Sequence, residues 1–201
     1  ERFELFRPTG IDLAGEAYSQ NQELKKGYDI NFATASFGQG IEITPMQLMR
    51  AYSALANKGV MAKPYVVEKR MEGNAEHETK PEFSLPVISP KTANLVTQMM
   101  VNVIENGFSK RAKIPGYYLA GKTGTAQVAW SVLGQNKSGY SDETVQSFMG
   151  FAPAYNPRFL MLVKLDNPQT KTAEYSAMPL FRELAKYIID YLEIPPDYEV
   201  E

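Results

Sequence analysis

Residues 159–165 read Phe-Leu-Met-Leu-Val-Lys-Leu, an almost unbroken apolar run between the turn signal Asn156-Pro157 and Asp166. A strand with one face in water alternates polar and apolar residues, and one that does not alternate is covered on both faces. The run therefore predicts a buried strand over 158–166 in a sheet with a layer above and below, which limits the chain to architectures in which helices flank a sheet. The sequence supplies such helices. Thr44 reads as an N-cap, with Pro45 in the first turn and Gln47 completing a capping box; Leu48, Met49, Tyr52, Leu55 and Ala56 then recur at helical spacing until Gly59. A second helix begins at Ser89-Pro90, carries Ala93, Val96, Met99, Met100, Val103 and Ile104, and stops at Asn106-Gly107. A third, over 179–192, places Leu180, Phe181, Leu184, Ile188 and Leu192 on one side before Pro195-Pro196 ends it.

Further strands are expected at 65–69, 117–129 and 144–152, with a polar loop over 130–143 and a charged hairpin excursion over 72–82. The first 30 or so residues are rich in turn signals, and 31–40, small and punctuated by glycine, read as a tightly packed loop. Residues 109–113, Ser-Lys-Arg-Ala-Lys, read as a solvated basic loop. The expected fold is α/β (α+β): an antiparallel sheet sandwiched between helices.

Composition removes several classes of function. A net charge of −2 carries no basic footprint for nucleic acid. With no cysteine there is no disulfide, thiol nucleophile or cysteine metal site, and no other cluster has metal-ligand spacing, so neither metal nor cofactor is expected. The lone His77 sits among Glu76, Glu78 and Lys80 and reads as solvated. No apolar run is long enough to span a bilayer, and Glu1-Arg2-Phe3-Glu4 does not begin a signal peptide.

The chemistry concentrates in Gly121-Lys122-Thr123-Gly124-Thr125-Ala126-Gln127. Lys122 supplies a positive charge, Thr123 and Thr125 supply hydroxyls for a carboxylate, and Gly124, lacking Cβ, lets a substrate backbone lie against the strand. Lys-Thr-Gly is one of three signature elements of serine β-lactamases and penicillin-binding proteins, beside Ser-x-x-Lys and a Ser-Asp-Asn type triplet. No serine here has a lysine three positions later, and Ser19-Gln20-Asn21 lies in a polar stretch without apolar periodicity.

Ordered around that motif are Thr9-Gly-Ile-Asp-Leu-Ala-Gly-Glu16, Ala33-Thr-Ala-Ser-Phe-Gly-Gln-Gly-Ile41 with Thr44-Pro-Met-Gln-Leu48, Leu55-Ala-Asn-Lys-Gly59, and Ser147-Phe-Met-Gly-Phe-Ala-Pro153 before Leu165-Asp-Asn-Pro168. This set resembles the transpeptidase domain of monofunctional class B penicillin-binding proteins across nearly the whole chain. In that family the serine nucleophile and the Ser-x-Asn motif precede the Thr-Gly-Ile-Asp block, so residues 1–201 look like the C-terminal part of one transpeptidase domain. They would hold its third to fifth strands and last helix, without the helix that bears the serine. Ser19-Gln20-Asn21 falls on the wrong side of that block and is rejected as the second motif.

The resemblance implies a peptidoglycan D,D-transpeptidase acting through a serine acyl-enzyme, with D-Ala-D-Ala stem peptides as substrates and β-lactams as inhibitors. It makes the Thr125 backbone N–H one oxyanion donor, Lys122 the positive field near the catalytic serines, and Thr123, Gly124, Thr125 and Gln127 the substrate contacts. Phe37 and Gln39 either line the cleft or pack a turn, and Trp130 either flanks the cleft or packs. Implied partners are the upstream part of the same protein, lipid-linked glycan strands, a cell-wall glycosyltransferase and division or elongation proteins. The implied setting is the extracytoplasmic face of a bacterial membrane, with the anchor outside this chain. A serine β-lactamase or β-lactam sensor, and a non-catalytic scaffold of a division complex, remain the alternatives.

Overall fold

The computed structural model describes residues 2–200. Five helices, α1 (Gln22–Lys25), α2 (Asp29–Ala35), α3 (Pro45–Ala56), α4 (Pro90–Glu105) and α5 (Ala177–Tyr191), accompany five strands, β1 (Lys69–Glu72), β2 (Ala75–Glu78), β3 (Ala120–Ala129), β4 (Tyr140–Ala152) and β5 (Phe159–Asp166). Strands β3, β4 and β5 form an antiparallel meander in that order, and β1 and β2 form a separate exposed hairpin.

Helices cover both faces of the meander. On one, Phe148 of β4 meets Phe181 of α5 with ring centroids 4.6 Å apart, and Phe159, Met161, Val163 and Leu165 of β5 pack against the same cluster. On the other, Ala120, Phe151 and Leu160 meet Met100 and Val101 of α4 and Tyr52 and Leu55 of α3. The apolar run of β5 is thus covered on both faces as expected, yet its residues are half-buried or exposed, because β5 is the outer strand of three. Gly121 and Gly150 face each other across β3 and β4, and the Phe148 and Phe181 rings occupy the space their missing side chains leave.

The caps of α3 and α4 fall where the sequence places them. Thr44 accepts from Gln47 N at 3.2 Å, and Ser89 accepts from Thr92 N at 3.0 Å. Four expectations need correction. The strand expected at 65–69 begins only at Lys69, because the Val66 and Val67 amides donate to the Asp12 carboxylate at 2.8 and 2.9 Å and find no strand beside them. Residues 31–40 are no packed loop: 31–35 belong to α2, which has no buried residue. The polar loop after β3 is shorter than 130–143, since β4 starts at Tyr140. Finally, α5 buries Ala177, Met178, Phe181, Ala185 and Ile189, whereas Leu180, Leu184 and Leu192 are exposed. Phe181, Met178 and Ile189 with two alanines, not the leucines, form its buried face.

The N-terminal segment is tied down by side chains acting on backbone. Glu16 accepts from Thr9 N at 2.6 Å, Thr9 Oγ1 at 2.7 Å and Gly10 N at 3.0 Å. Burial of Glu16 favours its neutral form, but these hydrogen bonds outweigh it and hold the carboxyl below its ordinary range. Buried Gln47 accepts from Thr44 N and Ser19 N and donates to the carbonyls of Leu5 and Arg7 at 2.9 and 3.0 Å. Asn21 closes on the backbone of Glu42, donating to its carbonyl at 2.6 Å and accepting from its N–H at 2.7 Å. Ser19-Gln20-Asn21 therefore serves as a chain clamp.

Candidate active site

β3 has β4 on one side only, and the register shows which of its backbone groups are free. Asn167 N donates to Thr144 O at 2.8 Å, so the even-numbered residues of β4 turn their backbone groups toward β5 and the odd-numbered ones toward β3. The β3 residues opposite those odd positions are Lys122, Gly124 and Ala126. Gly121, Thr123, Thr125 and Gln127 consequently direct N–H and C=O away from β4, along the open edge of the sheet. Side-chain alternation divides the same residues by face. Thr123 and Thr125 share the α5 side with Phe148, and Lys122 and Gly124 share the α3 and α4 side.

Both threonine hydroxyls already accept a hydrogen bond. Ala173 N, in the 3₁₀ turn Ala173–Tyr175, donates to Thr125 Oγ1 at 3.2 Å. Lys122 Nζ donates to Thr123 Oγ1 at 3.2 Å and to Thr123 O at 3.0 Å. A hydroxyl whose lone pair is engaged by an N–H has its own proton left to donate, and a carboxylate can only accept. Among the described residues Lys122 forms no ion pair, so its charge is uncommitted.

Lys122 stands at the rim of an apolar cavity of about 330 Å³ walled by Leu48, Tyr52, Leu55, Val96 and Met100. These belong to the helical stripes of α3 and α4, which pack on the sheet and also border this cavity. Burial pushes the Tyr52 phenol above its usual pKa, so it stays neutral. Further along β3, Ala126, Gln127 and Val128 wall a second cavity of about 530 Å³ together with Gln39, Ile41 and Glu42. Gln39 and Gln127 thus line the same cavity at the end of the motif strand. The structure leaves Phe37 and Trp130 outside that cavity: the Phe37 ring is 70% exposed, and Trp130 packs under Lys137, whose Nζ lies 4.3 Å from the ring centroid. His77 is exposed on the β1–β2 hairpin, 3.7 Å from Glu72. Two residues that sequence reasoning missed are Ala173 and Gln146. No local pattern marks either one, since their relation to Thr125 exists only through the β3–β4 register and the turn before α5.

Residues 1–186 match the family described as the penicillin-binding protein transpeptidase domain. The chain is 31% identical over 207 residues to penicillin-binding protein PbpB of Mycobacterium tuberculosis, covering 96% of this chain and 30% of that protein. It is 32% identical over 202 residues to the peptidoglycan D,D-transpeptidase FtsI of Buchnera aphidicola subsp. Baizongia pistaciae, covering 98% of this chain and 33% of that one. The crystal structure of penicillin-binding protein 3 from Mycobacterium tuberculosis in complex with ampicillin superposes with a TM-score of 0.81 at 30% identity, over 98% of this chain and 46% of that chain. The transpeptidase domain of Burkholderia pseudomallei penicillin-binding protein 3 gives 0.81 at 29% identity, over 98% and 57%. The chain spans about a third of the length of these curated relatives.

Proposed function

Because the chain belongs to the penicillin-binding protein transpeptidase family, we propose that it is the substrate-clamping part of a peptidoglycan D,D-transpeptidase whose nucleophile lies in an upstream segment. The observation that carries this reading is the open edge of β3, with its outward amides, two donor-ready hydroxyls and an ammonium in no ion pair among the described residues.

An extended D-Ala-D-Ala stem peptide adds to that edge as a strand, with Gly124 leaving room for its backbone. The Thr123 and Thr125 hydroxyls donate to its terminal carboxylate, or to that of a β-lactam. The Thr125 N–H, directed outward, is one donor to the tetrahedral oxyanion, and the serine's own N–H is the other; loss of one such donor costs about 10²- to 10³-fold in rate. Lys122 keeps the field positive where the serines of the upstream segment sit. Gln127 and Gln39 contact the substrate beyond Thr125, and Phe37 and Trp130 border the approach to it. The apolar cavity beneath Lys122 receives the upstream helix that bears the serine, against the parts of α3 and α4 that border it.

Among the described residues no helix is long and apolar enough to cross a membrane. In this reading, which rests on the family and not on that absence, the parent protein is anchored through a segment outside this chain and works on the extracytoplasmic face, where its lipid-linked substrate, a glycosyltransferase and division or elongation proteins meet it. The reading is tested with a fluorescent penicillin. The isolated chain should remain unlabelled and a protein that includes the upstream segment should be labelled covalently; labelling of the isolated chain would sink it.

A further inference from the structure

We propose that Gln146 is a positioning residue for this site, holding the turn before α5 so that the Ala173 N–H fixes the Thr125 hydroxyl with its proton free for the substrate carboxylate. The inference rests on the role given to Thr125 above. Gln146 lies directly opposite Thr125 in the β3–β4 register and is 0% exposed. Its side chain is fully committed: Nε2 donates to Thr170 O at 2.6 Å and to Thr144 Oγ1 at 2.9 Å, while Oε1 accepts from Thr170 Oγ1 at 3.2 Å and from Ser176 Oγ. Two N–H groups and two lone pairs are all an amide has. The amide orientation follows from the network, because reversing it would set its oxygen against the Thr170 carbonyl.

Three of these four contacts reach the segment 170–176, which contains Ala173. A buried apolar side chain would fill the same space without the desolvation cost of an amide, so packing does not account for a glutamine here. Ser176 gives a second, independent indication. It occupies the N-cap position of α5, where a serine ordinarily caps the helix, yet its side chain makes no cap and donates to Gln146 instead. The segment is thus tied to the β4 residue that faces Thr125, and its Ala173 N–H meets Thr125 Oγ1.

The test uses the protein that includes the upstream segment and compares acylation rates for a penicillin and for its methyl ester, which has no carboxylate to offer. The wild type should prefer the acid, and Thr125→Val sets the size of the preference lost with the hydroxyl. Gln146→Met should lower the acid rate about 10-fold and leave the ester rate unchanged, as expected for weakening a hydrogen bond to a charged group. Ser176→Ala should shift the same ratio by a smaller factor in the same direction. Equal loss with acid and ester would mark Gln146 as merely structural and overturn the proposal, as would an unchanged ratio. If Gln146→Met does not fold, Ser176→Ala and Thr170→Val decide by the same ratio. A wild type that reacts equally with both compounds refutes the carboxylate role of Thr125 and this inference with it, whereas a preference that survives Gln146→Met refutes the inference alone.

Discussion

The glycines of β3 and β4 separate folding from function in a way that two alanine substitutions expose. A Cβ on Gly150 would stand 2.6 Å from Ala120 O, 2.9 Å from Phe181 Cζ and 3.2 Å from Gly121 Cα. Two of these atoms are backbone of the adjacent strand, so relief requires the strands to part. Overpacking of this kind costs about 1–3 kcal/mol, with the rigid neighbours placing this site at the upper end. Replacing glycine where φ is permissive returns about 0.4–1 kcal/mol through the unfolded chain. The net is about 2 kcal/mol, or about 4–8 °C in melting temperature for a domain of this size. At Gly124 the only contact is Ser147 Oγ at 2.7 Å. That hydroxyl can rotate away for under about 1 kcal/mol, which the same unfolded-state gain offsets. Gly124→Ala should therefore melt within about 2 °C of wild type yet place a methyl on the edge strand where the proposed function lays the stem peptide, lowering penicillin acylation by about 10-fold or more. The assay pairs thermal melts with acylation rates in the protein that includes the upstream segment. Equal destabilisation by both substitutions, or a Gly124→Ala protein with wild-type acylation, would refute the assignment of one glycine to packing and the other to the substrate.

Lys122→Met removes an uncommitted charge from an exposed position, so it should leave the melting temperature nearly unchanged while lowering acylation by about 10- to 100-fold, the worth of a hydrogen bond to a charged group. Gln47→Ala releases three backbone groups of the N-terminal segment, at Leu5, Arg7 and Ser19, and the Thr44 N–H at the start of α3; it should cost about 2–3 kcal/mol in urea unfolding, with early hydrogen exchange across residues 5–19. Glu16 has its carboxyl held below the ordinary value of 4.5, so its contribution is complete above that pH and is lost as pH falls through the lower folded value. Urea midpoints between about pH 3 and 6 should fall less steeply toward acid in Glu16→Gln than in wild type. Phe181→Ala empties the contact with Phe148 and should cost about 3–5 kcal/mol, read by the same unfolding assay.

What could be read from the sequence was whatever is decided within a few neighbouring residues. The α3 and α4 starts follow from Thr44, Pro45, Gln47, Ser89 and Pro90, whose cap chemistry is local. The motif strand and its apolar neighbours were legible for the same reason. Residues 65–69 have strand-like side chains, but a strand needs a partner, and Asp12 had taken their amides. On α5 the leucines that share the apolar stripe with Phe181 in the sequence fall outside the buried face, and only Phe181 of that group's larger members is fully enclosed. Phe181 packs against Gly150 and Phe148, and Ala177 and Ala185 lie one turn to either side of it on the same buried face. Gln146 and Ala173 lie beyond any local pattern, since each acquires its relation to Thr125 only after β4 has paired with β3.

Lys122 is the only charged residue in β3, and it sits on the edge whose amides are free. An open edge pairs with any strand that reaches it, and a lysine there is a common safeguard, because a neutral strand laid alongside would have to strip the ammonium of water. A second copy of β3 would bring a second lysine and be repelled. An extended segment ending in a carboxylate brings its own counter-charge and escapes that penalty. Under the proposed function the same side chain would thereby select which strands this sheet accepts, admitting acid-terminated peptides and turning away its own kind.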